Sequence, residues 1–108
     1  MKKAIKIELV SAVKMSILHP ETFQAPTFED LNQIKPGYFV KVCIDGDEET
    51  ETPGERFWCE VKSVNRLERT IVGAVNNHLI YFDYPVDTLL EIDFDEVYDI
   101  LEPQPQTK

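Results

Sequence analysis

Glycine and histidine are scarce in this sequence, and the scarcity closes off several chemistries. Four glycines (37, 46, 54 and 73) are spread over 108 residues, too dispersed for a loop that cradles phosphate. The two histidines, His19 and His78, lie far apart, and neither has a His or Cys partner at metal-ligand spacing. There is no Gly-x-Ser-x-Gly elbow and no evident nucleophile–base–orienter set. Carboxylates are plentiful, but twenty acids on a small chain bring some pairs together by chance, so pairing alone does not argue general acid–base work. The expectation is a protein that is not an enzyme, with no catalytic residues, no resident metal and no cofactor. No run approaches the roughly 18 apolar residues of a membrane span. Only two cysteines occur, Cys43 and Cys59, each inside an apolar strand-like run where a free thiol behaves as a small hydrophobe. A disulfide would require these positions to face one another across paired strands.

Basic residues are the next shortage. Lys and Arg number 11 against 20 Asp and Glu, giving a net charge of −9. The imbalance is local: through Ile44 there are six basic and four acidic residues, and from Asp45 onward five against sixteen. Such a surface disfavours nucleic acid and anionic lipid, because neutralising phosphates takes clustered Lys and Arg. The basic start, MKKAIKIELVSAVKMSIL, is interrupted by Lys6, Glu8, Ser11 and Lys14, which excludes a signal-peptide apolar core and leaves a cytoplasmic protein as the expectation.

What is present is enough to bury one core: 43% hydrophobic and 10% aromatic residues. A single domain over residues 1–101 is expected, with a Pro- and Gln-containing disordered tail at 102–108. Ile5, Ile7 and Leu9 alternate as in a strand, while Leu9, Val13 and Ile17 recur at helical spacing, so a helix is predicted from about Val10 to Leu18, stopping before Pro20. Thr27 and Asp30 predict a capping box opening a second helix from Phe28 to Ile34, ended by Lys35-Pro36-Gly37. The period then becomes two. Tyr38 to Ile44 and Glu55 to Val64 read as strands, the second with Phe57, Cys59 and Val61 inward and Trp58 partly covered on the other face. Thr70–Val75 and Leu79–Phe82 read as a hairpin about Asn76-Asn77-His78. Leu89–Phe94 is a further strand, and Asp95–Leu101 either a helical turn or a short closing strand. The predicted class is α+β: one or two N-terminal helices, then about five short, mainly antiparallel strands forming a small barrel or strongly bent sheet.

Five blocks carry a resemblance: HPETFQAP (19–26), IKPGYFVKVCI (34–44), GERFWCEVKSV (54–64), IVGAVNN (71–77) and LEIDFDEVYDIL (90–101). In order and spacing they resemble a bacterial and phage family of small domains of unknown function, whose usual run is Lys-Pro-Gly, Val-Lys-Val, Gly-Glu-Arg-Phe-Trp-Val-Glu-Val and a Val-Asn-Asn-Asp hairpin. The resemblance implies a fold and no activity. Relatives occur in prophage and toxin-immunity neighbourhoods, which implies an interaction role. Cys59 stands where that family usually has Val, His78 where it has Asp, and Asp87-Thr88 where a Gly-Asp turn is more usual.

Two sets of side chains remain as candidates. Trp58, Glu60, Glu91, Asp93 and Asp95 suggest a surface for a protein partner with a basic patch, since Trp is enriched at binding hot spots and the last acids alternate along a strand. The alternative is a small-ligand or divalent-metal site at a barrel mouth near Trp58 and the Asn76–His78 turn, with Asn76, Asn77, His78 and Tyr81 contributing. The acidic stretch from Asp45 to Glu55 lacks the Gly and Glu positions of an EF-hand, so it reads as a solvated loop.

Overall fold

A computed structural model describes residues 3–103. The chain forms α1 (Ala12–Leu18), α2 (Phe28–Asn32), β1 (Phe39–Ile44), β2 (Glu55–Asn65), β3 (Thr70–Val75), β4 (Leu89–Asp93), a 3-10 turn (Phe94–Glu96) and β5 (Asp99–Leu101). The strands make one antiparallel sheet in the order β4-β3-β2-β1-β5. The α+β class is therefore as the sequence implied.

The sheet is not closed into a barrel, and here the sequence expectation is corrected. The last strand has only three residues and pairs with β1 alone, so β4 and β5 do not meet. The gap is crossed by an extended N-terminal segment. Ile5 accepts from the Glu91 amide at 2.8 Å and donates to the Leu89 carbonyl at 2.9 Å, beside β4. Further on, Val10 donates to Cys43 at 2.8 Å and Glu8 accepts from Asp45 at 3.1 Å, beside β1. These are isolated bridges and not a ladder.

That tie also explains the helix start. The Val10 amide is engaged with β1, so α1 opens two residues later, with Ser11 as cap accepting from the Lys14 amide at 3.1 Å. Only Ala12 of α1 is buried. Val13 and Ile17, expected on a packed helix face, are exposed. The capping box of α2 is present as read, with Asp30 N donating to Thr27 Oγ1 at 3.1 Å and Thr27 N to Asp30 Oδ2 at 3.2 Å. This helix ends at Asn32, short of Ile34. Gln33 and Ile34 already make tighter three-residue bonds, and Arg66 donates to the Asn32 and Ile34 carbonyls. Gly37, at φ +97°, supplies the left-handed turn into β1.

The sheet's inner face buries Val40, Val42 and Ile44 of β1, Phe57, Cys59 and Val61 of β2, Ile71 and Val75 of β3, and Leu90 and Ile92 of β4. Leu31, Ile34, Phe94 and Val97 complete this core. Strand alternation places the inward set as the sequence indicated. Gly73 is required by packing: a Cβ there would lie 2.9 Å from Cβ of Cys59 and 3.0 Å from Cδ1 of Ile92.

The hairpin after β3 does not form. Residues 79–82 are irregular, and β4 takes the free edge of β3. The intervening chain instead continues along β2. Asn76 N donates to the Trp58 carbonyl at 2.9 Å, Asn77 Oδ1 accepts from Trp58 N at 2.6 Å, and the Glu55 carboxylate accepts from Ile80 N and Tyr81 N at 2.8 and 3.0 Å. Side chains thus occupy the amides that a returning strand would have used. The expected tail lies, from residue 104, outside the described residues.

Candidate interaction face

The pairing register builds the outer face of the sheet residue by residue. Leu89 lies beside Ala74, Ala74 beside Glu60, Glu60 beside Phe39 and Phe39 beside Leu101, one row crossing all five strands. In the next row Asp99 flanks Lys41, and Lys41 flanks Trp58. Glu91 sits on the same face opposite Val72. Ala74 is buried, Phe39, Lys41, Trp58, Glu60, Val72 and Leu89 are half-buried, and Glu91, Asp99 and Leu101 are exposed.

Trp58 is fixed at both backbone atoms by Asn77 and Asn76, as above, and its ring carries the Lys41 ammonium 5.1 Å from the centroid. Lys62 pairs with Glu60 at 3.3 Å. Lys62 is the extra residue of a β-bulge, since β2 skips from Val61 to Ser63 in its register with β3. Glu91 and Asp99 have no ion-pair partner among the described residues; one Asp99 oxygen accepts from the Ile100 amide at 2.8 Å.

Of the five residues singled out for a partner, the structure brings Trp58, Glu60, Glu91 and Asp93 to one face. Asp93 is drawn to the sheet's end, where Lys6 holds it at 3.3 Å and Glu96 at 3.0 Å. Glu96 is largely buried and also accepts from Asp93 N at 2.9 Å. The Lys6 ammonium lies raised above the ordinary lysine value: burial opposes the shift, and hydrogen bonding and attraction from Glu96, then Asp93, outweigh it. Asp95 is exposed on the 3-10 turn. Only Asp95 leaves the face at the end of β4; Asp93 stays on it but is engaged by Lys6, whereas Glu91 has no ion pair among the described residues.

The alternative ligand set is not assembled as expected. With no closed barrel there is no barrel mouth. Asn76 and Asn77 support the Trp58 backbone, His78 is exposed, and Tyr81 is held beside Glu55. Among the cavities of the described residues, two lie away from this set. One, about 720 Å³, runs between the N-terminal segment and the 79–86 loop and is lined by Ile7, Leu9, Phe82 and Tyr84 together with Glu8, Asp45 and the paired Lys6 and Glu96. The other, about 490 Å³, lies between the 24–27 segment and β5. Tyr98 lines it. Its hydroxyl is buried without a hydrogen-bond partner among the described residues, and burial pushes the phenol up to about 12. Arg56 stacks on the same ring at 5.0 Å, and Phe23 packs at 5.1 Å.

The cysteines lie on opposite faces. Val40 is paired with Cys59 and Arg56 with Cys43, so the thiols cannot bond, and both are free. Burial pushes Cys59 up to about 12. Among the described residues no three His, Cys, Asp or Glu side chains come together to hold a metal ion, and no helix is long and apolar enough to cross a membrane.

Lys41, Phe39, Ala74 and Leu89 are functional candidates that sequence reasoning passed over. The alternation of β1 placed Phe39 and Lys41 opposite the core. What it lacked was the register, which sets Lys41 against Trp58. Comparison of the chain with protein-family models, curated proteins and solved structures finds no match.

Proposed function

We propose that this chain is a non-enzymatic protein-interaction domain, cytoplasmic and immunity-like or inhibitory, whose outer sheet face meets a partner with a basic surface. The observation that carries the reading is the Trp58 face itself. A backbone-anchored tryptophan lies next to a half-buried apolar row, with Asp99 two strands away in its own row, Glu91 farther along the same face, and no ion pair on either carboxylate among the described residues. Rigid aromatics surrounded by partly covered neighbours are the usual centres of binding energy, and the acidic balance of the chain after Ile44 favours a cationic partner. The resemblance of the five sequence blocks to a phage- and toxin-associated family supports the same class. The acidic balance after Ile44 argues against nucleic acid or membrane as the partner.

The test is affinity capture from host lysate with the wild-type chain, Trp58→Ala and Glu91→Gln side by side. A basic protein should be retained by the wild type, released by salt and lost with Trp58→Ala. Retention that ignores both substitutions and salt would reject the reading.

A second reading rests on the cavity of about 720 Å³, a volume in the range of small-molecule sites. Its aromatic residues Phe82 and Tyr84 and the carboxylates of Glu8 and Asp45, with Glu96 already paired to Lys6, suit a small organic ammonium ion. Thermal melts with organic ammonium compounds, nucleotides and divalent ions separate the two: a rise in midpoint confined to the ammonium series favours the cavity.

A further inference from the structure

The backbone of residues 77–84 is held to the rest of the domain by a single group. Among the described residues, none of it bonds to another backbone group. The Glu55 carboxylate alone reaches it, accepting from the Ile80 amide at 2.8 Å and from the Tyr81 amide at 3.0 Å. The two ends of the stretch are fastened separately. Asn76 donates to the Trp58 carbonyl, Asp87 donates to the Val75 carbonyl at 2.8 Å, and the Thr88 hydroxyl donates to the Pro85 carbonyl at 2.7 Å. Asp87 sits at φ +75°, a left-handed conformation that a residue with a side chain keeps only when its surroundings impose it. A segment with fixed ends and one central attachment opens at far less cost than the sheet, because few bonds are broken.

This segment forms one side of the cavity of about 720 Å³. Phe82 and Tyr84 make that wall, and Ile7, Leu9 and Ile44 stand against them. The same two rings also border a smaller space of about 230 Å³, shared with His78, Leu79 and Pro85. They pack on the core from one side and meet open space on others. Glu55 opens β2 directly opposite Ile44, which places the carboxylate at the cavity's edge. No cation pairs with it among the described residues, so its charge is directed at the two amides. Hydrogen bonds to an ionised acceptor are the stronger kind.

We infer that residues 78–84 are a lid over this cavity, latched by the Glu55 carboxylate. When the latch releases, the segment swings on Asn76-Asn77 and on the turn at 85–88, and Phe82 and Tyr84 leave the wall. The inference rests on the second reading above for its site and adds how entry to that site is controlled. Lid motion sets how fast a small molecule enters and leaves, and Glu55 sets the share of time the cavity stands open.

The test needs no ligand. Amide exchange is followed by NMR in the wild type, Glu55→Gln, Glu55→Ala and Glu21→Gln, the last an exposed acid beyond α1 that controls for charge. Exchange at Ile80 and Tyr81 should quicken at least about ten-fold in Glu55→Ala, the factor carried by a hydrogen bond to a charged group. Glu55→Gln keeps one acceptor oxygen and should fall between, and the Asn76 and Asp87 amides should hold in every variant. Entry is read in parallel from alkylation of Ile7→Cys by iodoacetamide, with Cys43→Ser removing the competing thiol. Its rate should rise with Glu55→Ala by a similar factor. Faster exchange with unchanged alkylation would overturn the inference and leave the cavity reading intact. Unchanged exchange at Ile80 and Tyr81, or an equal rise across β2 and β3, would overturn it too. If Glu55→Ala does not fold, the wild type decides. Exchange at Ile80 and Tyr81 should then be nearly indifferent to low urea while β2 and β3 respond steeply, and a shared urea dependence would sink the lid. Failure of the ammonium compounds in thermal melts would instead remove that reading of the ligand and leave the lid standing.

Discussion

The two faces of the same sheet follow different rules. On the inner face every strand of β1 to β4 contributes aliphatic or aromatic side chains, and Phe57, Cys59 and Val61 are packed to near-complete burial. On the outer face, one residue along, the same strands present Trp58, Glu60, Lys41 and Glu91, half-covered or exposed and tied by single contacts. The inner face determines whether the chain folds. The outer face can vary with little effect on folding and is therefore free to be selected for recognition.

The sharpest way to break this contrast is to make neighbouring substitutions on β2. Phe57→Ala should lose about 3–5 kcal/mol of stability, enough to unfold much of a small domain at ordinary temperature, as read by urea denaturation. Next in size is a pH effect of the buried thiol. Cys59 holds its proton in the fold up to about 12 but releases it near 9 when unfolded. The folded state therefore binds more protons above pH 9, and its stability, fully present below that value, falls as pH rises, by up to about 1.4 kcal/mol per pH unit. Urea midpoints taken between pH 8 and 10 should decline in the wild type and hold steadier in Cys59→Val. A matching decline in both would assign the slope to other groups. The smallest effect belongs to the outer face. Glu60→Gln removes only a surface ion pair, at 3.3 Å, and should shift stability by less than about 0.5 kcal/mol. A loss comparable to Phe57→Ala would mean that the two faces are not distinct.

Most of the inner face was legible in the sequence because it depends only on alternation. Phe57, Cys59 and Val61 could be assigned from β2 alone, and Val40, Val42 and Ile44 from β1, since a period of two is a local property. The capping box at Thr27 and Asp30 is likewise local. What went unseen depends on distant partners. The false hairpin after Val75 looked right because Asn76-Asn77 is a good turn; the Glu55 carboxylate, some 25 residues away, claims the amides at Ile80 and Tyr81. The helix read from Leu9, Val13 and Ile17 is present, but it opens at Ala12 and not at Val10 because the Val10 amide is bound to Cys43. On the recognition face Trp58 and Glu60 could be named, whereas the Lys41 contact needed the β1–β2 register. Asp93 keeps the alternation of β4, and only Asp95 falls on the 3-10 turn that interrupts it.

The bridges made by residues 5–10 bear on how the chain is completed during synthesis. Ile5 is translated well before its partners, Leu89 and Glu91, and must wait for them. Closing so large a loop is slow relative to local structure, so β1 to β3 can pair while the opening segment still waits. The fastening of residues 5–10 across the gap between β4 and β1 is therefore expected to follow the pairing of those strands. A bulky group fused ahead of Ile5 would act on that later step and leave the earlier pairing of the strands untouched.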